Sequence, residues 1–176
     1  MTAVSRGTMR RRRPAAPGLG GSEGAHDVVD MRVEGIGRDP AGETYFLILR
    51  ERDGERRLVL QIGPFEAAMI GMALGGGPVP RPFTHDLLVQ AVTRLGGRVE
   101  RVLIHDVRNE TFIGVLELGT DRGLIELDCR PSDGVAVALR TEAAILAAEE
   151  VLDKAGLVPG QSEWPEGPEK PEGPSS

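Results

Sequence analysis

Three β-prone runs, Val99 to Val107, Thr111 to Leu118 and Leu124 to Asp128, follow one another with only Arg108-Asn109-Glu110 and Thr120-Asp121-Arg122-Gly123 as their last connections. Such tight connections join antiparallel neighbours, so the stretch reads as a meander. Val115 and Glu117, and Ile125 and Leu127 around Glu126, alternate as in a sheet with one covered and one wetter face.

Upstream, Val28 to Gly37 and Thr44 to Arg50 flank the turn signal Asp39-Pro40-Ala41-Gly42 and predict a hairpin, and Asp53-Gly54 leads into a third strand at Leu58 to Ile62. Pro64 then sits where a first helical turn tolerates a missing N–H. A helix over Phe65 to Leu74 would carry Phe65, Met69, Met72 and Ala73 on its packed face, before Gly75-Gly76-Gly77-Pro78 ends it. Thr84 is positioned to cap a second helix, His85 to Leu95, whose apolar stripe is Leu87, Leu88, Ala91, Val92 and Leu95. From Pro131 or Ser132 the propensities favour one long helix to Ala155, although Thr141 to Leu146 can instead leave it as a short extended piece before Glu149 to Ala155. Helices packed against a mainly antiparallel sheet make the expected class α+β.

The ends of the chain read differently. Residues 1 to 27 are rich in Gly, Ala, Pro and Arg, and residues 159 to 176 in Pro, Glu, Gly and Ser around Trp164, without apolar periodicity in either. Both are expected to be disordered tails around one domain at 28 to 158. Charge divides accordingly: +5 and −2 in the first tail, +15 and −21 in the domain, +1 and −4 in the last. An acidic domain argues against a broad duplex-binding surface, which needs clustered Lys and Arg, so any RNA or DNA contact is expected to be local. The basic run Arg10 to Arg13 is expected to be a solvated tail, with contact to nucleic acid or an acidic partner as the alternative. The single cysteine, Cys129, excludes an internal disulfide and fits a reducing, cytoplasmic compartment. The chain has no apolar run of about 18 residues and no secretory h-region, so no membrane association is expected.

Two segments set polar side chains where an apolar helix begins: Arg81-Pro82-Phe83-Thr84-His85-Asp86 and Asp128-Cys129-Arg130-Pro131-Ser132-Asp133. Free N–H groups and the positive end of the helix dipole favour anions there, and Arg81 and Arg130 would add bidentate phosphate donors. Asp128 and Asp133 could share a Mg²⁺ or Mn²⁺ ion, and His85 could act as a general acid or base. Each residue also has a plain structural role: Ser132 and Asp133 as capping residues, Asp86 as a complement to a helix dipole, Arg130 as the ion-pair partner of Asp128. Cys129 is placed either as a stabilised thiolate or, more simply, as a half-buried packing residue. The chain lacks a Walker loop, a GxGxxG after a strand, HExxH and GxSxG.

RPFTHDLL at Arg81 to Leu88 and DCRPSDGVAVALR at Asp128 to Arg140 resemble the bifunctional nuclease family, the domain once known only as DUF151. The resemblance runs from MRVEGIG at Met31 through RVLIHDVRNETFIGVLEL at Arg101 to Leu118 and on to EEVLDKAGL at Glu149 to Leu157. It departs at Cys129, Gly114 and Gly134, where the family has Ala or Ser, Ala and Ala. The resemblance implies a compact, self-associating α+β domain with RNase and DNase activity in some members. It implies His85, Asp86, Asp128, Arg130 and Asp133 as the matching charged residues, with Arg81, Arg130 and Ser132 towards the substrate. Two functions follow. One is a metal-assisted nuclease acting on RNA or DNA; the other is a non-enzymatic, homo-oligomeric regulatory or anion-binding module whose charged helix starts are structural. Only six aromatic residues are available for base stacking, which weighs against tight nucleic-acid affinity.

Overall fold

The computed structural model describes residues 27–159 except 40, 76, 78 and 79; apart from residues 27 and 159, the two expected tails lie outside the described residues, as does the Arg10 to Arg13 run. Strands β1 (Val28–Arg38), β2 (Tyr45–Glu51) and β3 (Arg57–Ile62) form an antiparallel meander. The helices α1 (Pro64–Gly75) and α2 (Thr84–Arg94) separate it from a second meander, β4 (Arg98–Arg108), β5 (Thr111–Thr120) and β6 (Gly123–Cys129). Helix α3 (Pro131–Thr141), strand β7 (Ala144–Ala148) and helix α4 (Glu149–Ala155) complete the domain. This is the expected α+β class, and among the described residues every strand pair is antiparallel but one.

The exception holds the sheet together. Strand β7 lies antiparallel to β1, with Val28 opposite Ala148, and parallel to β4, with Arg101 opposite Ala144, so the strand order is β3-β2-β1-β7-β4-β5-β6. The single long helix favoured by propensity is thus broken. Glu142, at φ 55, takes a left-handed conformation just past α3, and Ala144–Ala148 pairs on both sides. Two ladders of backbone hydrogen bonds outweigh the helix preference of an Ala-rich segment, a tertiary override of local propensity.

One apolar core runs through both halves, from Met31, Leu47 and Leu58 to Val102, Ile104 and Leu116, roofed by Val135 to Ala138 of α3. Helix α3 comes unusually close to the sheet: a Cβ on Gly134 would lie 2.4 Å from Val102 Cγ2, and one on Gly114 would lie 3.2 Å from the Cys129 carbonyl oxygen and 3.4 Å from Pro131. Glycine at both levels lets the helix start rest on β4 and β5.

Two helix faces differ from expectation. In α1 the buried residues are Ala67, Met69 and Ile70, while Phe65 and Met72 are exposed, because α1 turns that side against α3 and β2. In α2 only His85 is buried, Val89 and Val92 pack partly into the core, and Leu87, Leu88, Ala91 and Leu95 face outward. Thr84 is the first residue of α2 rather than its cap; the extended residue before it is Phe83, whose N–H donates to Asp86 Oδ2 at 2.8 Å.

Candidate functional site

The first turns of α2 and α3 meet. His85 enters α2 on its inner side, and its Nε2 lies 3.2 Å from Asp133 Oδ1 in the first turn of α3. Arg130, just before α3, donates through Nε to Asp133 Oδ2 at 2.7 Å and through Nη2 to Oδ1 at 3.1 Å, a two-pronged pair, and its Nη1 lies 2.6 Å from Glu66 Oε1 of α1. The result is a chain Glu66–Arg130–Asp133–His85 that ties the starts of three helices. Burial pushes the Asp133 carboxyl up, but the hydrogen bonds from Arg130 and His85 and the Arg130 charge hold it below the usual carboxylate range.

His85 is 7% exposed, and its Nδ1 is buried without a hydrogen-bond partner.

Two turns along the same face of α3 a second tie repeats the pattern. Arg140 Nε donates to Asp86 Oδ1 at 2.6 Å, and its Nη1 donates to the Ala136 carbonyl oxygen. Its Nη2 also reaches the carbonyl oxygen of Met69 in α1. Burial raises the Asp86 carboxyl, while the Phe83 N–H and Arg140 more than offset it and keep it below its ordinary range. Asp86 is therefore a clamp between α2 and α3, and also caps its own helix.

The expected residues do not all converge. His85, Arg130 and Asp133 do. Asp86 belongs to the neighbouring clamp, and Arg81 is exposed ahead of α2. Asp128 stands apart: Leu127 is in register with Leu116, which is buried beneath α3, so strand alternation puts Asp128 on the opposite face of the sheet. The structural pair expected between Arg130 and Asp128 is replaced by Arg130 with Asp133 and Glu66.

The same alternation bears on the metal. Asp128 and Asp133 occupy different faces, and both Asp133 oxygens already accept from Arg130. Among the described residues no group of three or more His, Cys, Asp or Glu side chains is arranged to hold an ion. This donor set does not fit a resident Mg²⁺ or Mn²⁺.

Beside the network lies a cavity of about 470 Å³, walled by Leu60, Ile62, Phe112 and Pro131 and reached by Ser132, Arg130, Glu66 and Glu110. Its size is within the roughly 300–1,000 Å³ of small-molecule sites. Cys129 is half-buried beneath it all; desolvation first, then the Asp133 and Asp128 charges, push its thiol up to about 11, which fits packing and not nucleophilic work.

Glu66 and Arg140 were not singled out from sequence. Arg140 stands seven residues after Asp133, two helical turns on, and that spacing places both on one face. Glu66 is an acidic first-turn residue behind Pro64, a common pattern with nothing to mark it.

A profile of the bifunctional nuclease domain matches residues 47–159. Two uncharacterised proteins of Mycobacterium tuberculosis, from the Oshkosh and H37Rv strains, are each 40% identical to the chain over 135 residues, covering 76% of this chain and 80% of theirs.

Proposed function

Because the chain belongs to the bifunctional nuclease domain family, we propose that it hydrolyses phosphodiester bonds of RNA or DNA, with Arg130, Asp133 and His85 as its working centre. The observation that carries this reading is the continuous Arg130–Asp133–His85 contact at the edge of a cavity and at the start of α3. An exposed guanidinium there offers a two-pronged donor to a phosphate, helped by the positive end of the helix. The phosphate competes with Glu66 and Asp133 for Arg130. With the Asp133 oxygens released by that exchange, the Asp133–His85 pair carries the proton that water loses on attacking phosphorus to the departing ester oxygen. Arg81, in the loop ahead of α2, adds positive charge to the approach of a strand.

The test incubates purified protein with labelled single-stranded RNA and DNA, in EDTA and in Mg²⁺ or Mn²⁺, beside His85→Gln, Asp133→Asn and Arg130→Gln. Each substitution is expected to slow cleavage by about 10²-fold or more. Cleavage by all three at the parent rate overturns the site, and the EDTA arm reads any dependence on a divalent ion.

A second reading, a non-enzymatic homo-oligomeric or anion-binding module, is favoured by one observation: the charged groups are already neutralised internally, while α2 turns Leu87, Leu88 and Leu95 outward. It predicts no cleavage and a concentration-dependent increase in mass on sedimentation. Among the described residues no helix is long and apolar enough to cross a membrane, and the half-buried free thiol of Cys129 supports placing the protein in the cytoplasm.

A further inference from the structure

The cavity beside Arg130 contains two groups that the hydrolytic network does not use. Ser132 is 7% exposed and lines the cavity, yet its hydroxyl has no hydrogen-bond partner among the described residues. A hydroxyl at the wall of an open space with no protein partner is free to meet a polar group that enters it.

Glu110 is the second. It sits with Asn109 in the two-residue turn between β4 and β5, at φ 63 and 47 respectively. Both positions of such a turn require positive φ, which Asn tolerates and which Gly, not Glu, normally supplies at the second. Holding Glu there costs about 1 kcal/mol or more. The Glu110 carboxylate makes no ion pair or hydrogen bond among the described residues, and it lines the same cavity as Ser132. Glu110 is exposed at this turn, which leaves its carboxylate free to meet a group in the cavity.

We propose that this cavity binds a nucleobase and selects guanine. Phe112 and Pro131 supply apolar surface for a flat ring. A carboxylate offers two acceptors and no donor. Guanine alone among the common bases presents two parallel donors, N1–H and the 2-amino N–H, that can meet both Glu110 oxygens at once. Adenine and cytosine set a ring-nitrogen lone pair beside their amino group, and uracil flanks its N–H with carbonyls, so each would face the second oxygen with an acceptor. The Ser132 hydroxyl donates to the guanine carbonyl, and Arg130 stands beside the cavity where the attached phosphate would lie. The inference rests on the phosphodiester reading for its substrate but not for its test, which reads binding.

The full chain is titrated calorimetrically, without metal, with the 5′-monophosphates of guanosine, inosine, adenosine, cytidine and uridine. Single-stranded oligonucleotides with and without one guanine follow. The guanosine nucleotide is expected to bind about tenfold more tightly than the adenosine, cytidine and uridine nucleotides, with inosine, which lacks the 2-amino group, between. Glu110→Gln should erase the preference. Glu110→Gly should erase it too while raising Tm by about 3 °C, because glycine relieves the left-handed strain, and this separates lost recognition from lost folding.

Selective binding of the guanine-containing oligonucleotide identifies a strand as the source; selectivity for the mononucleotide alone identifies a free nucleotide. Equal binding of the five nucleotides, no binding at millimolar concentration, or a preference that survives both Glu110 substitutions overturns the proposal. Cleavage without base preference would sink the guanine pocket and leave hydrolysis standing; guanine preference without cleavage would do the reverse.

Discussion

Helices α2 and α3 begin alike, each with a charged first turn, and then differ in what they do with their apolar residues. In α3, Val135 to Ala138 are at most 1% exposed; in α2, Leu87 is 63% exposed, and Leu95, just past its end, is 88% exposed. Yet the apolar spacing of α2 is the stronger of the two in the sequence. The difference shows that a stripe of period 3.6 announces a helix and a surface in need of cover, but does not name what covers it. Helix α3 finds its cover in its own sheet. Helix α2 is fastened on its inner side mainly by His85 and Asp86, through polar contacts to α3, with Val89 and Val92 adding part of the core. Its outer leucines, together with the exposed Ile125 and Leu127 on the edge strand β6, are the surface that the self-association reading uses.

The largest expected effect breaks the fastening. Arg140→Ala removes the guanidinium from Asp86 and from the Met69 carbonyl oxygen and should lower unfolding free energy by about 2–3 kcal/mol in urea denaturation. A loss under 0.5 kcal/mol would show that α2 is held by its valines instead. Next comes the tight seat of α3: Gly134→Ala gains helix propensity, but its methyl meets Val102, so a net loss of about 1 kcal/mol is expected. A rise in Tm would mean that the sheet yields readily beneath α3.

Acid sharpens the same contrast. Asp86 and Asp133 both titrate below their ordinary range when folded, so their contribution is fully present above the unfolded carboxylate pKa and disappears as pH falls through the folded values. The Asp86→Asn, Asp133→Asn protein should therefore lose less stability than its parent between about pH 5 and pH 3, as read by urea midpoints. Parallel losses would place acid sensitivity elsewhere. The smallest effect on folding is expected from Leu88→Gln with Leu95→Gln, within about 0.5 kcal/mol, because these side chains face outward. The same pair should shift sedimentation towards monomer, and an unaltered mass would exclude this face from assembly.

These comparisons also show how much could be read in advance. The strands were legible because their turns have their own chemistry: Asp39 accepts from Glu43 and Thr44 to close the first hairpin, and Asn109 opens the turn at the far end of β4. The break after α3 was readable only as an alternative, since Ala144 to Ala148 becomes a strand through partners that lie far away in the chain. For the site, residue types and helix starts were legible. The pairings were not: His85 meets Asp133 across 48 positions and Asp86 meets Arg140 across 54, separations on which local spacing has no bearing. Asp128 shows the converse, since a residue close to Asp133 in sequence is carried to the other face of the sheet by strand alternation.

The last strand to be made is the one in the middle. Until β7 is synthesised, the nascent chain holds two meanders, β1 to β3 and β4 to β6, each with an open inner edge, and nothing to zip them together. Closure pairs Val28 with Ala148, nearly the full span of the folded region, and contacts of such long sequence separation form slowly. A chain stalled or truncated before Ala144 would expose the inner edges of β1 and β4 to other copies, so this protein should depend on chaperones most in the moments just before its final strand leaves the ribosome.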